Sequence, residues 1–351
     1  MVTSLALSVL VGLVVGRGKG TGASATEAGG SKGLVIGLSL DTLKEARRQG
    51  DRDFFVARAK ELGAQVDVQS ANSDDSQQIR DVESLLTSGA KVIVIAPHDG
   101  VAMAKAVEMA HKAGVPAIAY DRLIKNCDLD LYLSFDNEAV GAAQAQFLAD
   151  QIKPGTPMRI VRIYGAPTDN NAKLFKAGQD KVLAPLIASG AVKVVREDWA
   201  EDWKPENAKR IMNAALTDVG DNFDAVLASN DGTAGGAIQA LSEAGLAGKV
   251  LVTGQDADLA ACQRIAAGSQ TMTIYKPLKL LASKAAEAAV TMGTGKPLVA
   301  RNTVNNGKID VPSILNPVFV VTKDNLRETV VKEGFHSAKE IYGDAPDAKK
   351  P

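Results

Sequence analysis

Two short apolar runs, residues 92–97 (VIVIAP) and 115–122 (VPAIAYDR), constrain the chain more than anything else in it. Each is apolar and rich in β-branched residues, and a helical pattern separates them. They read as strands buried on both faces and joined into a parallel βαβ unit. That unit commits the chain to an open α/β sheet. The second strand runs directly into Asp121 and Arg122. Ligands of such sheets sit beyond the carboxyl ends of the strands, so an acid and a base side by side at that point are placed to grip a small polar molecule.

The same alternation extends in both directions. Strands are expected at 34–38, 66–68, 92–97, 115–122 and 131–135, with amphipathic helices between them that are closed by Gly63 and Gly89. A helix over 137–152 is broken by Pro154-Gly155, and a second series follows at 159–163, 192–195, 225–228, 250–253 and 271–275. Its helices are expected over 172–183, 205–216, 233–244 and 258–267, with Pro205 at a tolerated first-turn position. One more helix, 278–292, and a looser tail with an apolar run at 318–321 complete the chain. The fold class is therefore α/β, with two doubly wound, Rossmann-like parallel-sheet domains whose strand ends face each other across a cleft. Residues 33–135 with 277–308 form one lobe, 136–276 with 309–345 the other, and 1–32 precede both.

At 351 residues, 46% of them hydrophobic, the chain is long enough for two cores of ordinary size. Forty basic against forty-one acidic residues supply no basic stripe for a nucleic acid or a membrane surface, so no nucleic-acid partner is expected. Cys127 and Cys262 match no metal or redox spacing. Residues 5–15 are apolar but shorter than the roughly 20 that span a bilayer, and a Gly/Ser/Thr/Ala-rich stretch follows to Ser31. This reads as an export signal and tether, which puts the protein in the periplasm or on the outer face of the cell membrane. No basic residue precedes the run, and Arg17 stands where a lipoprotein signal needs cysteine, so lipid anchoring has no residue to support it. A cytoplasmic tail is the alternative.

Polar residues recur at the strand ends: Asp121-Arg122, Asp169-Asn170-Asn171, Trp199 and Trp203, Asn230-Asp231, Gln255-Asp256 and Lys276. Carboxylates, guanidinium groups and amides suit hydroxyls that both donate and accept, and an indole covers an apolar sugar face. Singly, each has a plainer use as a helix cap, turn former or core residue; their recurrence favours a ligand site. Catalytic patterns fail. His98, His111 and His336 are scattered, residues 37–41 (GLSLD) lack the closing glycine of a nucleophile elbow, and residues 16–20 (GRGKG) lack the strand and hydroxyl of a phosphate loop. No metal, cofactor or enzymatic activity is expected.

The chain from about residue 33 to 335 resembles the periplasmic sugar-binding proteins of bacterial ABC transporters. The resemblance is carried by residues 50–53 (GDRD), 68–72 (VQSAN), 119–122 (AYDR), 134–138 (SFDNE), 169–175 (DNNAKLF), 228–241 and 254–258 (GQDAD). Within that family the pattern is nearest to the D-xylose-binding branch. The resemblance implies a venus-flytrap of two lobes joined by three hinge crossovers, closing as a monomer over one monosaccharide and delivering it to a membrane permease. It implies sugar contacts from Arg47, Asp121 and Arg122 in the first lobe and from Asn171, Trp203, Asn230 and Asp256 in the second, with Lys276 near a crossover. The aromatic expected opposite Trp203 falls at Arg48, whose guanidinium plane can also cover a ring. Glucose, galactose and arabinose binders share several of these stretches, so other aldoses remain alternatives to D-xylose. Three further readings are the effector half of a transcription repressor, an α/β enzyme, and a binder that also serves a membrane sensor or chemoreceptor. The first would need a helix-turn-helix before Gly33, where residues 16–31 are too glycine-rich to form one.

Overall fold

The computed structural model describes residues 33–343. The expected export segment, residues 1–32, lies outside them. The first lobe opens as an unbroken alternation: β1 (Val35–Leu40), α1 (Ala46–Glu61), β2 (Gln65–Ser70), α2 (Asp75–Thr87), β3 (Val92–Ala96), α3 (Ala104–Lys112), β4 (Ala117–Tyr120) and β5 (Leu131–Phe135). In β3, Val92, Val94 and Ala96 enter the core shared with α1, while Ile93 and Ile95 enter a second core on the other side. A strand apolar at every position thus has a reason: it is covered on both faces.

The chain then passes to the second lobe through α4 (Asn137–Ala149), β6 (Met158–Tyr164), α5 (Asn170–Ala188), β7 (Val192–Trp199), α6 (Pro205–Val219), β8 (Ala225–Ala228), α7 (Asp231–Glu243), β9 (Leu251–Val252), α8 (Leu259–Ala267) and β10 (Met272–Tyr275). These strands make a parallel sheet in the order β7-β6-β8-β9. β10 lies beside it, with the Thr271 N–H donating to Val252 O at 2.9 Å and the Ile274 N–H to Gly254 O at 3.2 Å. Helices α4 and α5 pack close enough that a Cβ on Gly178 would stand 2.0 Å from Glu138 O, so only glycine fits there.

After β10 the chain returns as α9 (Leu278–Gly293), β11 (Asn302–Asn305) and β12 (Asp310–Asn316). β12 pairs in parallel with β5, and β11 runs antiparallel to β12, so the first sheet has seven strands, in the order β11-β12-β5-β4-β3-β1-β2, where sequence reading finds five. A last passage leads to β13 (Phe319–Thr322), antiparallel to β10, and then to α10 (Ala338–Tyr342). Three strands of chain therefore cross between the sheets. The sequence places the third crossing after residue 308. It falls after Asn316 instead, because β12 finds its partner at the β5 edge: the Asn316 amide donates to Ser134 O at 3.1 Å. Cys127 and Cys262 are free thiols buried in different lobes.

Candidate functional site

The carboxyl ends of both sheets meet around one polar cavity of about 20 Å³, the size of a single water. All nine residues singled out from the sequence line it: Arg47, Arg48, Asp121, Arg122, Asn171, Trp203, Asn230, Asp256 and Lys276. Glu45, Asp169, Phe175 and Gln255 complete the lining.

Asp121 is the hub of the first lobe. It follows β4 at a positive φ of 63°, a conformation a non-glycine residue keeps only when its surroundings hold it. They do so through its carbonyl, which accepts from Tyr132 Oη at 3.1 Å, Ser134 Oγ at 2.6 Å and, from the opposite lobe, Asn171 Nδ2 at 3.0 Å. Its carboxylate is ion-paired to Arg47 and, at 3.1 Å, to Arg48 Nη2. Burial alone would push this carboxyl up, but the two guanidinium groups and Lys276 hold it far below the usual carboxylate range.

Arg47 and Arg48 are neighbours with different work. Arg47 reaches across the cleft and places Nη1 2.9 Å from Asp256 Oδ1. Arg48 is 1% exposed, and its three nitrogens face Asp41 Oδ1 at 2.9 Å, Asp51 Oδ2 at 3.1 Å and Asp121 Oδ2. All three nitrogens are thus committed to carboxylates, so Arg48 braces Asp121 while also lining the cavity. Arg122 is shared similarly. Nη1 meets Asp41 Oδ2 at 2.8 Å, and Nε meets Asp169 Oδ2 of the second lobe at 2.8 Å.

On the second lobe, Asp169 caps α5 by accepting from the Asn171 N–H at 2.8 Å, and its other oxygen takes Trp203 Nε1 at 3.1 Å. Trp203 sits at φ 59° directly over Gly165, where a Cβ would stand 2.0 Å from the indole, and its ring meets Phe175 edge-on at 6.2 Å. The indole plane is therefore fixed from below, from the side and through its nitrogen. Asn230 caps α7 with its side-chain oxygen, at 2.8 Å from the Thr233 N–H, and lines the cavity. Asp256 also holds a positive φ, 98°, and binds the fully buried Lys276 Nζ at 2.9 Å. That ammonium lies over the rings of Phe135 at 5.5 Å and Phe175 at 5.7 Å. Burial and the Arg47 charge hold Lys276 below its ordinary range, and burial raises Asp256, but Lys276 and Arg47 together bring its carboxyl below normal.

Sequence reading passed over Asp41, Asp51 and Glu45. Asp41 follows β1 as Asp121 follows β4, so the strand-end rule reaches it. Asp51 lies on α1 within the GDRD stretch that carries the resemblance, and Glu45 lies beside α1 with no local mark; tertiary placement turns both inward.

Comparison with known proteins places the chain. A family model for the periplasmic binding protein domain matches residues 36–297. The D-xylose-binding periplasmic protein of Haemophilus influenzae is 53% identical over 312 residues, 89% of this chain and 93% of that protein. The protein of the same name from Escherichia coli is 50% identical over 311 residues, with the same coverage. Among solved structures, the carbohydrate transporter solute binding protein of Chloroflexus aurantiacus, in complex with D-glucose, superposes with a TM-score of 0.83 at 37% identity, covering 88% of this chain and 98% of that one.

Proposed function

The chain belongs to the periplasmic binding protein family, and from that membership we propose that it is the solute-binding component of a sugar ABC transporter, capturing D-xylose between its lobes in the periplasm and handing it to a membrane permease. The observation that carries the reading is the pairing of opposite charges around the cavity. Four cations, Arg47, Arg48, Arg122 and Lys276, line it together with four carboxyl groups, Glu45, Asp121, Asp169 and Asp256. A site that sets donors beside acceptors suits a neutral polyhydroxyl ligand, whose hydroxyls can serve both signs. D-xylose is favoured over other aldoses because two relatives at 50% identity or above carry that name.

Capture works by closure. Arg47 with Asp256, Arg122 with Asp169 and Asn171 with the Asp121 carbonyl each join the lobes directly. A ring of about ten heavy atoms exceeds a water-sized space, so it enters while the lobes are apart and is held by both once they approach. Because only the closed arrangement offers both sets of groups, the sugar shifts the population towards it. Micromolar binding needs about 8 kcal/mol, within reach of several charge-assisted hydrogen bonds and one stacked indole. The role proposed is binding, the role the family's description names. The closed form is also the surface that a permease, or a membrane sensor, would read.

Calorimetric titration with D-xylose, D-glucose, D-galactose and L-arabinose tests this. One-to-one micromolar binding led by D-xylose is expected. A hexose preference would reassign the substrate, and no binding to any of the four would overturn the reading.

A further inference from the structure

Away from the cavity, one polar contact joins the lobes at the rim of the cleft. His98 follows β3, and its backbone N–H donates to Gln78 Oε1 at 2.9 Å, which fixes the loop. The ring Nδ1 lies 2.8 Å from Asp75 Oδ1 in the first turn of α2. The ring Nε2 lies 3.4 Å from Asp202 Oδ1 of the second lobe. Asp202 immediately precedes Trp203, and both hold positive φ, 54° and 59°. Lys204 Nζ sits 2.7 Å from the other Asp202 oxygen. The adjacent Asp99 is turned away, capping the Val101 and Ala102 N–H groups.

Both imidazole nitrogens therefore face carboxylates, which only accept. A neutral imidazole has one N–H and would set a lone pair against the second carboxylate, so the bridge is complete only as imidazolium. We propose that His98 is a positioning residue for the sugar site, tying the strained turn that carries Trp203 to the first lobe when its ring is protonated, so that closure over sugar takes up a proton. This rests on the sugar-binding reading above. Parting the lobes removes Asp202 from the ring, so the closed form favours the protonated ring more than the open form does. By linkage, the protonated ring then favours the sugar-closed form more than the neutral ring does, so lower pH tightens binding. Hydrogen bonds from Lys204 and His98 hold the Asp202 carboxyl below its usual range against the opposing effect of burial, which keeps it the anion that the ring meets.

The test is D-xylose titration at pH 5.5, 6.5 and 8.0 with the unaltered protein, His98→Gln and Asp202→Asn. The unaltered protein should bind about threefold tighter at pH 5.5 than at pH 8.0 relative to either variant, the increment expected of a partly exposed ion pair. Its binding heat should vary with buffer ionisation enthalpy as a proton is taken up, and both variants should lose that dependence. Asp202→Asn leaves the His98–Asp75 pair in place, so it isolates the contact between lobes. Equal pH slopes in all three proteins, or loss of slope in His98→Gln but not in Asp202→Asn, would overturn the proposal. Failure of the unaltered protein to bind sugar at any pH would instead overturn the reading beneath it.

Discussion

Arg47 Nη1 stands 2.9 Å from Asp256 Oδ1, joining the first helix of one lobe to the turn after β9 of the other. The same carboxylate oxygen is 2.9 Å from Lys276 Nζ, whose side chain is fully buried. Asp256 is thus an acceptor on which the Arg47 cation of α1 and the Lys276 cation after β10 converge, and the chemistry that closes the cleft is the chemistry that would hold a hydroxyl.

Asp256→Ala should accordingly weaken D-xylose binding by about a hundredfold or more, since it leaves two buried cations short of a partner. The circular dichroism spectrum should remain that of the unaltered protein, because Asp256 lies in a turn outside both sheets. Calorimetry beside the spectrum checks this; retained affinity would remove Asp256 from the site.

Arg48 separates bracing from stacking. Replacing it by methionine withdraws one partner from each of Asp41, Asp51 and Asp121, all buried. The expected loss of stability is about 3 kcal/mol, read by thermal or urea unfolding. A stacking role would lower sugar affinity and leave the unfolding midpoint unchanged.

Gly165→Ala tests the seat of the indole. Its new Cβ would overlap Trp203, and with Phe175 at its edge and Asp169 on its nitrogen the ring can yield only into the cavity it lines. A loss of about tenfold or more in affinity and a shifted tryptophan emission maximum are expected, with about 1–3 kcal/mol of destabilisation. Unchanged emission and affinity would show that the indole does not depend on this floor.

Asp258 gives the protein a pH-dependent stability. Burial, with the negative charges of Asp256 and Glu45, pushes its carboxyl up to about 7. The folded state therefore holds this proton more tightly than the unfolded chain, whose carboxyl titrates near 4. The stabilisation is fully present below about pH 4 and is lost as pH rises to about 7. Asp258→Asn should raise stability at pH 8 by about 1–2 kcal/mol, reduced from the full shift because the residue is half-buried, and change little at pH 4. Melting curves across pH 4–8 check the sign; a larger gain at pH 4 would contradict it.

Much of this fold is legible in the sequence itself, and the reason is local. The strands at β3, β4 and β8 are apolar at every position and β5 at all but Ser134, and each runs into a polar turn, so the site residues follow from strand ends. What was not legible depends on partners. β11 and β12 read as NTVN and DVPSILN, polar and carrying a proline, and they are strands only because the β5 edge receives them. The bracing of Asp121 by Arg48, and the meeting of His98 with Asp202, join residues 73 and 104 positions apart. No window of sequence contains either pair.

The central claim, that one sugar ring lies between the lobes, is tested most directly by a crystal structure with D-xylose. The account predicts ring density in the cleft with hydroxyls within hydrogen-bond distance of Asp121, Asn171 and Asp256, and with Trp203 against one face. Density for the sugar elsewhere, or a cleft that stays closed on itself at saturating D-xylose, would contradict it.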